Sequence, residues 1–200
     1  IIDKTAPVIT NVNSAAVNGT HRAGLNIDIA LTFSKAVTLA PVAAANVNLT
    51  LETGTTDQNA VYLSGSGSVT INLRYTIQPG DTAADLDYLA TNALTLLNGA
   101  TLRDIYGNDA NLTLPTPGGA GSLGANKDLK IDTEVPTVIN VSSATPDGTY
   151  TTGQAIQVAV QFSEPVWATG APRIQLETGN TDQLTANALP TGSGSDTLVF

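Results

Sequence analysis

An internal repeat constrains this sequence more than any other feature. The segment 130–136 restates the segment 2–7, because Asp132 matches Asp3 and Pro136 matches Pro7, each 129 positions later. A match at one constant offset indicates a duplicated structural unit. The chain is therefore expected to fold as two related modules in line.

The match continues beyond the two prolines. The paired segments are 8–12 with 137–141, 18–20 with 147–149 and 30–37 with 159–166 at an offset of 129, then 51–54 with 176–179 at 125 and 65–68 with 192–195 at 127. The small changes of offset indicate short loop insertions. We predict a complete repeat in residues 1–131 and the N-terminal part of a second repeat in residues 132–200.

Hydrophobic alternation predicts that both copies are built from strands. The alternating apolar residues are Leu25, Ile27, Ile29, Leu31 and Phe33 in the first copy, and Ile156, Val158, Val160 and Phe162 in the second. Further strands are predicted at 8–13, 47–51, 59–63, 68–77, 94–97, 112–114 and 126–131, with a single helical turn at 82–88. Short alternating strands separated by turn residues are typical of an antiparallel β-sandwich.

Composition agrees with an all-β chain and limits its partners. Charged residues make up 12% of the sequence, about half the usual share, which disfavours exposed helices. The net charge of −9 argues against binding to nucleic acid or to anionic lipid, and favours a cation as the binding partner.

No apolar run is long enough to span a bilayer. With no cysteine and one histidine, thiol catalysis and histidine-rich zinc sites are excluded.

Several short motifs resemble a known family. They are Phe-Ser-Lys-Ala-Val at 33–37, Phe-Ser-Glu-Pro-Val at 162–166, the Asp104 to Asn108 loop, the Leu-Glu-Thr-Gly turns and the Gly-Asp-Thr run at 80–82. In this order they resemble bacterial immunoglobulin-like repeats of large surface and adhesin proteins. The resemblance implies tandem immunoglobulin-like β-sandwiches, the second one incomplete, and a location outside the cell or on its surface. Lys35 departs from the family's glutamate, whose counterpart in the second copy is Glu164.

Two acidic loops are candidate calcium ligands. The first loop supplies Asp81, Asp85 and Asp87, and the second supplies Asp104, Asn108 and Asp109. Calcium binds six to eight oxygens from carboxylates, amides and carbonyls, and two loops at one end of a sandwich could provide them. The alternative is turn chemistry, because Asp and Asn side chains also bond to nearby backbone amides.

The junction between the copies is a second candidate calcium site. Asp132 and Glu134, with Asp3 at the other linker, lie near the expected domain ends, and Glu164 is within reach of such a junction. A cation there would stiffen the linker. The alternative is that proline alone holds the connection extended.

The function predicted from these features is structural, without enzymatic activity. The chain is interpreted as a segment of a bacterial surface or secreted protein that acts as a rigid spacer between neighbouring repeats. The alternative is a filament subunit whose incomplete second domain is completed by a strand from another copy. A polysaccharide-active enzyme is disfavoured because aromatic residues, which form sugar platforms, are only 4% of the chain.

Overall fold

The computed structural model describes residues 2–186 and 188–200. The chain divides into two compact units, Ile1–Glu134 (unit 1) and Val135–Phe200 (unit 2). It is 41% strand and 4% helical, which confirms the prediction of an all-β chain. The described residues include no helix with the length and apolar character needed to span a bilayer.

The described residues of unit 1 form nine strands and two short helical turns. The strands are β1 (Ile9–Ser14), β2 (Gly19–His21), β3 (Asn26–Ala40), β4 (Val47–Leu51), β5 (Gln58–Ser64), β6 (Ser68–Thr76), β7 (Leu94–Leu96), β8 (Thr101–Arg103) and β9 (Leu129–Ile131). A 3₁₀ turn covers Ala44–Asn46 and one helical turn, α1, covers Leu123–Asn126.

Strand β3 organises unit 1 because it pairs with three other strands. The main antiparallel sheet has the order β1-β3-β6-β5-β4-β7, and β8 pairs with the last residues of β3. The register of β3 shifts between Thr32 and Val37, so the first part of the strand pairs with β6 and the last part, Thr38 to Ala40, pairs with β8. Such a bulge bends the strand and lets the sheet curl around its inner face.

The core of unit 1 follows directly from the alternation along β3. The inward-facing apolar side chains of β3 are at most 3% exposed, and they are Ile27, Ile29, Leu31, Phe33, Val37 and Leu39. Cross-strand partners on β6 complete these rows, with Ile29 opposite Leu73 and Leu31 opposite Ile71. The alternation therefore predicted the buried face of this strand correctly.

The C-terminal half of unit 1 closes over this core. Strand β9 pairs in parallel with β2, which is an exception to the antiparallel pairing that the sequence predicted. Ala83 and Ile131 exchange two backbone hydrogen bonds, at 3.0 and 2.8 Å, and Leu86 donates to Leu129 at 2.7 Å. The hydroxyl of Ser122 caps α1 by accepting from the Ala125 N–H at 3.1 Å.

Three local predictions in this half were wrong. Segment 112–114 is not a strand, although Leu114 is buried and its N–H donates to the Thr91 carbonyl. Segment 82–88 forms bends and bridges in place of a helical turn, because Ala83 and Leu86 bond to the chain around β9. Segment 126–131 is a strand only from Leu129. The short strands β2 and β8 were not predicted.

Unit 2 repeats the first strands of unit 1. Its strands are β10 (Val138–Ser142), β11 (Ala159–Val166), β12 (Gln175–Leu176), β13 (Gln183–Leu184) and β14 (Ser195–Val199). In β10-β11-β14 the partners Val138↔Phe162 and Val160↔Leu198 reproduce Ile9↔Phe33 and Leu31↔Ile71 of unit 1. The sequence repeat is therefore also a repeat of strand pairing and register.

The Gly-Ser-Gly-Ser motifs form the same turn in both units. The Ser68 hydroxyl donates to the carbonyls of Gly65 and Thr70, at 2.9 and 2.8 Å, and the Ser195 hydroxyl donates to Gly192 and Thr197, at 2.7 and 3.0 Å. Gly65 and Gly192 have φ of +103° and +89°, and a Cβ at either would lie 2.1 Å from a carbonyl oxygen. Glycine is required at both positions.

Core burial differs between the units. Apart from Pro190, the buried apolar residues in the described part of unit 2 are Val158, Val160 and Leu198, whereas the core cluster of unit 1 contains 25. All five residues of β10 are exposed, although the first residue of its counterpart β1 is buried. Unit 2 therefore has the strand pairing of unit 1 without its closed core.

Substitution of Leu31 tests this assignment of the core. Because Leu31 is 1% exposed, we expect Leu31→Ala to lower the free energy of unfolding of unit 1 by about 2–5 kcal/mol through lost burial and the resulting cavity. Urea unfolding followed by far-UV circular dichroism measures the change. Leu63→Ala is the matched control, because Leu63 is 40% exposed and its truncation should cost less than about 1 kcal/mol. Equal losses would contradict the assignment.

Candidate functional site

Lys35 lies at the bulge of β3, in the alternating series that carries the core residues Phe33 and Val37. Its ammonium nitrogen is 2.7 Å from Asp3 Oδ2, 2.6 Å from the Thr5 carbonyl oxygen and 3.5 Å from Asp104 Oδ2. A charged side chain in a series of core residues needs such partners, because the free energy of removing its charge from water is otherwise unfavourable. Lys35 thereby binds the N-terminal segment to the Asp104 loop.

The Asp104 carboxylate is held by its own loop as well as by Lys35. Its Oδ1 accepts from the N–H groups of Tyr106 and Asn108, both at 2.9 Å, and its Oδ2 accepts from the Asn108 side-chain amide at 2.9 Å. The Asn108 amide also donates to the Asp3 carbonyl at 3.2 Å. The hydrogen bonds from Asn108 lower the pKa of Asp104, with a smaller contribution from Lys35. The ion pair with Lys35 likewise lowers the pKa of Asp3.

Asp81 is also used inside unit 1. It is 2% exposed, and its carboxylate accepts from the Tyr75 hydroxyl at 2.6 Å, from the Gln78 N–H at 2.7 Å and from the Gln58 amide at 3.1 Å. Burial of Tyr75, together with its bond to Asp81, raises the pKa of the phenol. These bonds fasten the turn after β6 to β5, which is the turn chemistry that the sequence left as an alternative.

Of the remaining loop carboxylates, Asp87 accepts backbone hydrogen bonds, whereas Asp109 and Asp85 are exposed at the surface. Asp87 Oδ1 accepts from the Tyr88 N–H and Oδ2 from the Gly118 N–H, each at 2.9 Å. Asp109 forms an ion pair with Arg103 at 2.6 Å, with its side chain 70% exposed. Asp85 is exposed.

The two acidic loops lie near opposite ends of the first part of β3. The Asp81 turn bonds to Tyr75, which pairs with Ile27, whereas Asp104 bonds to Lys35. Eight residues of strand span about 26 Å. The structure therefore does not bring the two loops together into one calcium site.

Four carboxylates do line one cleft in unit 1. The cleft has a volume of about 770 Å³, and its lining includes Glu52, Asp85, Asp132 and Glu134, with Lys130 as the one basic residue among those that the structure describes. Asp85, Asp132 and Glu134 are carboxylates that the sequence predicted as ligands, whereas the Leu-Glu-Thr-Gly motif indicated Glu52 only as part of a turn. Among the described residues, no three His, Cys, Asp or Glu side chains lie close enough to share one metal ion.

Two of the predicted junction residues, Asp132 and Glu134, bond within unit 1. Asp132 Oδ1 accepts from the Glu134 N–H at 3.1 Å, and the Asp132 N–H donates to the His21 carbonyl at 3.0 Å. Glu164 lies on β11 of unit 2 and is half-buried. Its counterpart in unit 1 is Lys35, so the same strand position carries opposite charges in the two units.

Comparison of the chain with protein-family models and with curated proteins finds no match.

Asp104→Asn tests the carboxylate network. The folded state lowers the pKa of Asp104 below its ordinary value of 3.8, so its stabilising contribution is present above about pH 4 and is lost as pH falls through the folded-state pKa. We expect the variant to have a lower Tm than the wild type at pH 7, and the difference to shrink between pH 4 and pH 2.

Thermal unfolding at a series of pH values measures this difference. Asp109→Asn is the control, because its exposed ion pair contributes little to stability. A Tm difference for Asp104→Asn that stays constant down to pH 2 would contradict the assigned role of the carboxylate.

Proposed function

We propose that this chain is a structural segment of a bacterial surface or secreted protein, in which immunoglobulin-like β-sandwich repeats act as rigid spacers without enzymatic activity. The observation that carries the proposal is the recurrence of one strand pairing, in the same register, in β1-β3-β6 and in β10-β11-β14. Serial use of one module along a chain is typical of arrays that set distance and direction.

The short connection between the modules supports this function. The Thr133 hydroxyl accepts from the Gly80 N–H at 2.8 Å and donates to the Asp81 carbonyl at 3.0 Å, so Thr133 is fixed to unit 1. Thr137 exchanges hydrogen bonds with Ser163 of unit 2, at 3.0 and 2.8 Å. Only residues 134–136 lie between these fixed positions, and Pro136 restricts them further.

The N-terminal opening of unit 1 is fixed in a related way. The Val8 N–H donates to the Ser34 hydroxyl at 3.1 Å, which reproduces the bond between Thr137 and Ser163, and Lys35 adds the contacts with Asp3 and Thr5. In an array, a linker that is bonded to the following domain transmits force and orientation better than a free one. We infer that the positive charge of Lys35 holds the N-terminal segment against unit 1 and so stiffens this linker.

Calcium is proposed as an additional stiffener at the acidic cleft. Its carboxylates are oxygen ligands of the kind that calcium binds, and since no three of them among the described residues lie close enough to share one ion, one or two carboxylates would hold it together with backbone carbonyls and water. The net charge of −9 favours cation binding. The cleft includes Asp132 and Glu134, so an ion there would restrain the end of unit 1 from which the connection leaves.

Spin-label distances test the spacer function. The chain has no cysteine, so Thr95→Cys with Thr169→Cys places one label on an exposed residue of each unit. We expect a narrow distance distribution, because the connection is short. Insertion of Gly-Ser-Gly-Ser after Glu134 should broaden the distribution roughly twofold, since such linkers behave as flexible coil.

The same insertion after Val42, in an exposed loop of unit 1, is the control and should leave the distribution narrow. A distribution that is already broad without any insertion would reject the rigid-spacer function.

Thermal unfolding with calcium and with chelator tests the cleft. A ligand that binds only the folded state stabilises it by about 2.7 kcal/mol at 100 times its dissociation constant. We expect calcium to raise the Tm of the wild type, and Asp85→Asn combined with Glu52→Gln to abolish the shift. Asp109→Asn should keep it. No shift in the wild type would remove calcium from the proposal and leave the spacer function to the linker contacts.

A further inference from the structure

Unit 2 carries an open apolar groove between its main sheet and the β12–β13 pair. Its volume is about 380 Å³. Within the described part of unit 2 the lining has no charged side chain and consists of Ala155, Ile156, Gln157, Leu176, Thr185, Ala186, Thr191, Val199 and Phe200. A groove of this composition fits an apolar polypeptide surface.

The repeat shows that the corresponding surface of unit 1 is interior. Ile156 is 49% exposed, whereas its counterpart Ile27 is fully buried. Leu176 and Phe200 are half-buried in unit 2. Their counterparts in unit 1 are Leu51 and Leu73, and both are 0% exposed. The groove is therefore the uncovered equivalent of the unit 1 core.

Residues 74–131 cover this surface in unit 1. They supply eleven of the 25 buried apolar side chains in its core cluster, including Tyr75, Leu86, Tyr88 and Leu129. Leu51 forms a β-bridge with Tyr88, so the counterpart of Leu176 is in direct contact with this segment. Phe200 corresponds to Leu73, and residues 74–131 have no counterpart within residues 135–200.

A strand edge beside the groove is also unpaired. Val158 and Phe200 exchange two backbone hydrogen bonds, each at 2.9 Å. In unit 1 the same ladder continues past the equivalent pair, with Asn26–Asp28 opposite Arg74–Thr76. The counterparts of Asn26–Asp28 are residues 155–157, which form no strand pairing in unit 2. Their backbone groups offer an edge for strand addition.

We propose that the groove and the adjoining edge of unit 2 form a docking site for a polypeptide segment with the chemistry of residues 74–131, the C-terminal half of a repeat of this type. The segment begins with a short strand that pairs with residues 155–157, as in β-augmentation. Its Tyr and Leu side chains, in the positions of Tyr75 and Tyr88, then fill the groove over Ile156 and Leu176. This inference does not depend on the spacer function.

Fusion of the segment to the whole chain tests the proposal. Residues 74–131 are appended after Phe200, so that Arg74 follows the counterpart of Leu73. Trp167 is the sole tryptophan and its ring lies against Gly194 of unit 2, so its fluorescence reports the unfolding of unit 2. We expect the urea midpoint of the Trp167 signal to rise, and the backbone amide of Ile156 to exchange about tenfold or more slowly.

Three matched proteins make the result specific. A scrambled version of the appended segment should leave both measurements unchanged. In the fused chain, Ile156→Asp should cancel the rise in midpoint, because it places a charge in the groove. Ile139→Asp should not cancel it, since Ile139 is 60% exposed and corresponds to Thr10, which is exposed in unit 1.

Two results would overturn the proposal. One is a fused chain that matches the scrambled control in both midpoint and exchange. The other is concentration-dependent dimerisation of the unfused chain in sedimentation, with protection of the Ile156 amide, which would make a second copy of unit 2 the occupant.

Discussion

The bend in β3 is the constraint on which unit 1 depends. The strand must pair with β1 and β6 along its first part and with β8 along its last part, and the register shift before Val37 allows both. The bulge breaks the apolar series at Lys35, whose ammonium meets Asp3, Thr5 and Asp104. A backbone irregularity thus places one cation where the N-terminal segment and a distant loop can both bind it.

Local side-chain bonds explain how unit 2 keeps its strand register with an open core. The Thr53 hydroxyl donates to the Thr56 carbonyl, and the Thr178 hydroxyl donates to the Thr181 carbonyl, both at 2.9 Å. The Ser163 bond to Thr137 likewise repeats the Ser34 bond to Val8. Bonds of this kind connect residues that are close in sequence or on paired strands, so they form without residues 74–131. Core burial, in contrast, requires those residues.

The carboxylates divide according to what surrounds them. Asp81 and Asp104 are buried and accept bonds from several donors, which leaves them to hold turns in place. Asp85 and Asp132 are exposed on the cleft, where solvent reaches their carboxylates. Identical side chains therefore serve different purposes, because an accepted hydrogen bond satisfies a buried carboxylate while water satisfies an exposed one.

The repeat, the all-β class, the inner face of β3 and the matched segments that contain Gly65 and Gly192 could be predicted from the amino-acid sequence alone. These features depend on alternation, φ and neighbours in sequence, which are local properties. Three other features emerge only in the folded chain: Asp104 contacts Lys35, Glu52 lines the same cleft as Asp85, and segment 112–114 is not a strand. These outcomes depend on contacts between residues far apart in the chain, such as the parallel β2–β9 pairing and the bend in β3, which no periodicity encodes.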